Sequence, residues 1–383
     1  MDKPTVQDIF HRFYPAYLDQ YSPSPVQAKV AHNIMNCKTG AYGANVCVCE
    51  DCGFVQIHYN SCRNRCCPMC QAVPKEMWMD ARREDVLDAP YFHLVFTVPD
   101  ILNPVIYSNQ RLLYDALYHA ASSTISELTA DPKRLGAKVG YICILHTWGS
   151  EMNFHPHIHT ILLGGGLASN NQWKDNGENF FLPIRVISKM FRGKYLEELK
   201  RLWEEDKLVF HGTAEKFRNH YTFKELLDSC YGMDWIPHCK KTFNGAQTVI
   251  KYLGKYTHRI AVSNHRIVRM DDDTVTFLVK DYRNEGQWKE LTISGVEFVR
   301  RFLMHVPPRR FVRIRHYGLL CSRTKSQKLT LCRNLLGCKK YLSKLRDMEM
   351  PEILEHLYGI KVCVCKACGG HLGKPQMRMP LRC

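Results

Sequence analysis

Phe154-His155-Pro156-His157-Ile158-His159-Thr160-Ile161-Leu162-Leu163 sets three imidazoles at alternate positions and then runs into an apolar tail. A short apolar and β-branched run bounded by polar segments reads as a strand. On a strand, alternate side chains face the same side. His157 and His159 therefore project together, with Ile158 turned to the opposite face. His155 shares their phase, separated from them by Pro156. Side chains two residues apart on a strand stand about 7 Å apart, so these imidazoles can converge on one cation. A solvated or core histidine without a shared ligand explains one such residue easily and three in phase poorly. The pattern alone names neither metal nor reaction, and a catalytic zinc hydrolase also fits it.

The neighbouring segments place this strand in a sheet. Val139 to Trp148 is a second apolar run, separated from His157 to Leu163 by the polar stretch Gly149 to Phe154. Two such runs joined by a short polar connection predict an antiparallel hairpin. Upstream, Phe92 to Val98 is β-branched and aromatic and stops at Pro99; a long amphipathic helix is expected from about Pro104 to Leu128. The β-α-β-β order predicts an α+β fold, an antiparallel sheet with helices packed on one face. The stripe Ile9, Phe10, Phe13, Tyr14, Tyr17 and Leu18 predicts an N-terminal helix, and Ser24-Pro25 starts a second. Further helices are expected over Lys75 to Leu87, Lys189 to Glu205, Phe223 to Cys230 and Ala246 to Lys255, with strands at Thr274 to Lys280 and Glu290 to Ile293 and a polar loop over Ala168 to Asn179. The chain divides into an N-terminal helical and cysteine-rich region (1–88), a central α+β region (89–300), which the resemblance described below makes the nuclease domain, and a basic C-terminal region (301–383).

A second chemical signal is Val249-Ile250-Lys251-Tyr252-Leu253-Gly254-Lys255-Tyr256-Thr257-His258-Arg259. On a helix Tyr252 and Tyr256 lie one turn apart on one face. Lys251, Lys255 and Arg259 surround them with positive charge. A phenol is a weak nucleophile at neutral pH and needs such cations to act on a phosphate. Two tyrosines along a basic helix also occur for packing alone; it is the histidines that give this pair its weight.

The cysteines form a third signal. Of 18, seven lie between Cys47 and Cys70 and four between Cys363 and Cys383. In a reducing compartment they do not make a disulfide framework. Cys49-Glu50-Asp51-Cys52 and Cys67-Pro68-Met69-Cys70 are two C-x₂-C knuckles 14 residues apart, a spacing that predicts one four-cysteine structural zinc module. At the C-terminus Cys363, Cys365, Cys368 and Cys383 could bind a second zinc ion.

Lys and Arg total 53 against 37 Asp and Glu, a net charge of +16. That balance favours a polyanionic partner, because each neutralised phosphate releases counterions. No apolar run approaches the roughly 18 residues of a spanning helix, and Met1-Asp2-Lys3-Pro4-Thr5 carries no secretory pattern, so a cytoplasmic protein is expected. Arg313 and Arg315 alternate with apolar residues and would present a cationic strand face to a phosphate backbone.

A strand-borne His-hydrophobic-His motif followed roughly a hundred residues later by two tyrosines four apart resembles the HUH endonucleases. The whole set resembles the rolling-circle insertion-sequence transposases of the IS91 type. The stretches that carry it are Tyr59-Asn60-Ser61-Cys62-Arg63-Asn64-Arg65 with Cys67 to Cys70, His155 to His159 with Gly164-Gly165-Gly166, Tyr252 to Arg259 with Ser263 to Arg266, and Phe311 to Gly318. The resemblance implies a central antiparallel HUH nuclease domain. It implies one Mg²⁺ or Mn²⁺ ion on His157 and His159, with His155 or Glu151 as third ligand. It also implies attack by Tyr252 or Tyr256 on single-stranded DNA, leaving a 5′-phosphotyrosine and a free 3′-hydroxyl, and it adds Cys62 to the zinc ligands. A rolling-circle replication initiator would share this chemistry, although no ATPase phosphate loop is present. A zinc-ribbon regulator without catalysis would leave the histidine row and the tyrosine pair unexplained.

Overall fold

The computed structural model describes residues 3–176, 182–235, 238–243, 249, 254, 260–281 and 284–378, with backbone alone at 238–243 and 378. Two helices open the chain, α1 (Val6–Leu18) and α2 (Pro25–Met35). Both starts are closed by capping boxes, Thr5 with Asp8 and Ser24 with Gln27, which satisfy amide groups that the first turn leaves without partners. A hairpin, β1 (Ala44–Val48) and β2 (Val55–Tyr59), precedes α3 (Ala72–Arg83) and β3 (Tyr91–Thr97). Next come α4 (Asn103–Ser108), α5 (Gln110–Ala130), β4 (Lys138–Trp148), β5 (Phe154–Leu167), β6 (Trp173–Asp175), α6 (Ile184–Glu204), α7 (His220–Gly232) and β7 (His238–Phe243). The chain continues through β8 (Ile267–Met270), β9 (Thr274–Asp281), β10 (Gln287–Ser294), α8 (Gly295–Met304), β11 (Ile314–Gly318), α9 (Lys325–Leu336), α10 (Met350–Tyr358) and β12 (Gln376–Arg378).

The fold is α+β, built on an antiparallel sheet in the order β11-β4-β5-β3-β7, with β6 paired to the end of β5. The expected β4–β5 hairpin is present, in a register that pairs His146 with His157, Ile144 with His159 and Ile142 with Ile161. On the other edge of β5, β3 pairs Val95 with His159 and His93 with Ile161. One face of the sheet, carrying Phe92, Leu94, Phe96, Tyr141, Cys143, Leu145, Ile158 and Leu162, packs on α4 to α7 in the largest core. The opposite face, carrying Ile142, Ile144, Ile161 and Leu163, is covered by Met79 of α3, by Leu87, by Val249 and by Leu329 and Cys332 of α9.

A separate core joins α1 and α2 to β8, β9 and α8, with Phe10 edge-on to Phe302 at 5.2 Å. The chain's first helix is thus packed against residues almost 300 positions later, and the packing units do not follow chain order. A second sheet has the order β10-β9-β8, and a small third sheet, β12-β1-β2, brings the last strand among the described residues against the first.

Two sequence expectations are corrected here. The single helix expected from Pro104 to Leu128 breaks at Asn109, whose side chain donates to Val105 O and Val209 O and accepts from Val209 N, and whose backbone leaves helical angles. The polar loop after Ala168 contains β6, because Gly165 to Leu167 still offer free strand edge for it to pair with.

Two histidines away from the histidine row, His305 buried and His316 partly buried, tie stability to pH. His305 bonds to Thr147 Oγ1 and Met152 O, and burial pushes its pKa down from 6.5 to about 4. Burial likewise pushes His316 down to about 4. Both fold as neutral imidazoles, so the unfolded chain binds more protons between about 6.5 and 4. Stability is therefore complete above that window and falls as pH falls through it. The urea midpoint is expected to be lower at pH 5 than at pH 7, and replacing both residues with Asn should reduce that difference.

Candidate active site

Because β5 is flanked by β4 and β3, its alternation is fixed on both edges, and His157 and His159 project from the same face. Their Nε2 atoms lie 3.1 Å apart. His146, opposite His157 on β4, completes the group: one nitrogen from each of the three rings lies within 4.8 Å of the others. All three are buried. His157 donates its Nδ1 proton to His155 O at 2.6 Å, which leaves the Nε2 lone pair directed into the group. His159 Nδ1 bonds to His93 Nε2 at 2.9 Å, so its Nε2 is likewise directed inward. Burial pushes His157 down to about 4 and holds His159 well below the ordinary value, with His146, His157 and His93 adding to the effect on His159.

At 3.1 Å the two Nε2 atoms share a proton as an N–H···N hydrogen bond in one His159 tautomer and face each other as two lone pairs in the other. Nitrogens bound to one ion at about 2.0–2.1 Å stand about 3.0–3.4 Å apart, so the pair fits a shared divalent cation. Three imidazoles form a donor set suited to transition metals and less suited to Mg²⁺.

The third side chain beside His157 and His159 is His146, where the sequence offered His155 or Glu151. His155 has the right phase, but its ring turns to Asp100, with Nδ1 3.2 Å from the carboxylate. Glu151 is exposed in the turn between β4 and β5, where its carbonyl accepts from Arg301, and it does not join the group. Reading the hairpin symmetrically about its turn would have placed His146 against His157. No such signal locates His93, whose approach depends on the β3–β5 register.

The cysteines also regroup. Cys37, Cys62, Cys67 and Cys70 form one cluster and Cys49, Cys52, Cys365 and Cys368 another. The expected single module of Cys49, Cys52, Cys67 and Cys70 is therefore split. Its knuckles lie at opposite ends of the β1–β2 hairpin, whose five-residue strands span roughly 16 Å, too far for one ion. Cys62 does join Cys67 and Cys70, as expected, and Cys37 at the end of α2 supplies the fourth sulfur. Hydrogen bonds from Cys62, Cys67 and Cys70 push Cys37 strongly toward the thiolate. Cys363 is exposed and outside both clusters; Cys383 lies outside the described residues.

Residues 140–328 match the family described as "Putative transposase" and residues 9–98 match the transposase zinc-binding domain of IS91 elements. A protein of Sinorhizobium fredii (strain NBRC 101917 / NGR234) named y4qJ, under the same description as the first family, is 40% identical over 369 residues, 95% of this chain and 93% of that protein. The chain belongs to the IS91-type transposase family. This transposase is also 30% identical over 309 residues to the transposase for insertion sequence element IS801 of Pseudomonas savastanoi pv. phaseolicola, covering 79% of the chain and 72% of that relative. Among solved structures, conjugative relaxase TrwC in complex with oriT DNA is distantly similar: the metal-free form has 12% identity and a TM-score of 0.25 over 43% of this chain and 71% of that one, and the metal-bound form 13% and 0.25 over 43% and 70%.

Of the remaining expected site residues, Tyr252, Tyr256, Lys251, Lys255 and Arg259 lie outside the described residues. Val249 and Gly254 of the same segment are described. Val249 is buried among the residues of the histidine face, and Gly254 lies against Met79 and Lys75 of α3. Arg315, expected on a cationic strand face, lies on the face of the sheet opposite the histidines. It pairs with Cys143 across the sheet and so faces the helices, where it stacks on Tyr118 at 4.0 Å and forms an ion pair with Asp115. Arg313 sits near Cys66 and Arg65, and burial lowers its pKa. No helix among the described residues of the transposase is long and apolar enough to cross a membrane.

Zinc analysis of a Cys37→Ser variant, by inductively coupled plasma mass spectrometry, should show about one zinc fewer per chain than the unaltered transposase. An unchanged zinc content would remove Cys37 from the ligand set.

Proposed function

We propose that this transposase nicks and rejoins single-stranded DNA at the ends of its mobile element and at the target, through a 5′-phosphotyrosine link, during rolling-circle transposition. The observation that carries this reading is the convergence of His146, His157 and His159 on the sheet face where Val249, from the two-tyrosine segment, is buried. The three imidazoles would hold one divalent ion, and their nitrogen donors favour Mn²⁺ over Mg²⁺. What a bound ion supplies there is polarisation of the scissile phosphate. His93 acts through His159, fixing the ring so that its Nε2 stays directed into the group.

The phenolic oxygen of Tyr252 or Tyr256 attacks phosphorus. Its bond to phosphorus forms as the bond from phosphorus to the 3′ oxygen breaks; the phenol gives up its proton and the departing 3′ oxygen gains one. One phosphodiester replaces another, so return attack by the 3′-hydroxyl rejoins the strand without a nucleotide cofactor. A second tyrosine allows a second strand to be opened while the first is still held. Lys251, Lys255 and Arg259 supply positive charge to the phosphates, and the net charge of +16 attracts the strand from a distance. The N-terminal cluster Cys37, Cys62, Cys67 and Cys70 holds structural zinc that braces α2 against the loop leading to α3.

Incubation with labelled single-stranded DNA carrying an element end and Mn²⁺, followed by denaturing electrophoresis and peptide mapping, should give a covalent adduct on Tyr252 or Tyr256. Cleavage without an adduct would mean that water is the nucleophile and would overturn the mechanism. His146→Ala and His157→Ala should each abolish nicking while leaving DNA binding intact, and full nicking by His146→Ala would exclude it as a ligand. His93→Ala should weaken Mn²⁺ binding about ten- to a hundredfold in an electron paramagnetic resonance titration, with the melting temperature of the metal-free protein little changed.

A further inference from the structure

The second sulfur cluster joins residues more than 300 positions apart, and only half of it falls within the matched zinc-binding domain, residues 9–98. Cys49 and Cys52 sit on the turn of the β1–β2 hairpin, and Cys365 and Cys368 sit on a turn just before β12. Cys49 Sγ is 3.5 Å from Cys368 Sγ, and Cys52 Sγ is 3.8 Å from Cys365 Sγ. Four sulfurs around one zinc at about 2.3 Å stand about 3.8 Å apart, whereas a disulfide needs about 2.05 Å.

The two turns are built alike. In the first, Cys49 N donates to Phe54 O at 2.9 Å and Gly53 N to Cys49 O at 3.1 Å. In the second, Cys365 N donates to Gly370 O at 2.8 Å and Gly369 N to Cys365 O at 3.0 Å. A glycine with positive φ follows the second cysteine of each, Gly53 at 70° and Gly369 at 79°, a conformation that other residues adopt only with strain. Backbone amides also point at the sulfurs: Ala367 N at Cys365 Sγ and Gly370 N at Cys368 Sγ, both 3.4 Å. Amide donors of this kind favour the thiolate.

The rest of this module is too small to hold itself together. Its buried core is Cys47, Cys49, Cys365 and Leu372, and two of those four are in the cluster. Val55, Ile57 and Tyr59 of the hairpin are exposed. Backbone bonds from Glu50 N to His371 O and from Gly373 N to Val48 O, with the pairing of β12 on β1, complete the contact between the chain ends. A sheet of three short strands with so little apolar burial needs a staple.

We propose that Cys49, Cys52, Cys365 and Cys368 bind one zinc ion as four thiolates, a ribbon assembled from the two ends of the chain, and that this ion clasps the C-terminal segment to the N-terminal hairpin. The clasp is distinct from the Cys37 cluster and from the histidine group. It makes residues 363–378 part of the N-terminal module, although they stand at the far end of the sequence.

The test uses the full-length protein as purified with its metals. In timed thiol alkylation read by mass spectrometry, Cys363 should be modified quickly, while Cys49, Cys52, Cys365 and Cys368 stay protected and become reactive together when a chelator removes the metal. Cys365 and Cys368 reacting as fast as Cys363, with Cys49 and Cys52 still protected, would overturn the proposal. In a second measurement, the variants Cys49→Ser/Cys52→Ser and Cys365→Ser/Cys368→Ser should each lose about one zinc per chain, and the fourfold variant no more than either pair. Additive losses, or iron in place of zinc, would also overturn it.

Discussion

The site depends on burying β5 in the middle of the sheet with neutral imidazoles on one of its faces. A strand has a side-chain period of two, so a one-residue slip would send every histidine to the opposite face. Pairing on both edges prevents that slip: Ile158 and Leu162 are locked into the large helix-covered core while His157 and His159 face the other way. The partners of the histidines follow from the same pairing. His146 arrives from β4 directly across from His157, and His93 from β3 reaches His159. Uncharged nitrogens are brought together because the surrounding apolar residues make the protonated forms costly.

The rest of the chain supports that sheet by long-range closure. The N-terminal helices pack on α8, α3 and α9 cover the histidine face, and Asp80 of α3 accepts hydrogen bonds from Tyr341, from Ser343 and from Leu345 N. Those bonds tie the chain after α9 to the element that precedes β3. The basic surplus is partly spent inside the protein as well. Arg300 and Arg301 both grip Glu297, pushing its carboxyl down to about 2, Arg315 is paired with Asp115, and Arg65 donates to the carbonyls of Pro308 and Phe311. Net charge therefore counts attraction toward a polyanion without saying which arginines face it.

Local pattern was legible where the physics is local. The alternation of His155 to Leu163 gave a strand, the Ser24-Pro25 pair gave a helix start, and the Gly149 to Phe154 break gave a hairpin. The helix break at Asn109 was not legible, since it depends on a bond to Val209 a hundred residues away. Cys37 was passed over because it has no partner at knuckle spacing; its partners reach it only when the hairpin folds back to α2.

What the sequence by itself determined is which residues can do chemistry and which of them share a face: the period of a strand and the turn of a C-x₂-C knuckle are set by covalent geometry within a few residues. Which of those groups meet was decided by the tertiary structure. His155 was exchanged for His146, and the knuckle at Cys49 took its partner from Cys365 instead of Cys67, because distance in space follows strand register and the length of a hairpin, not separation along the chain.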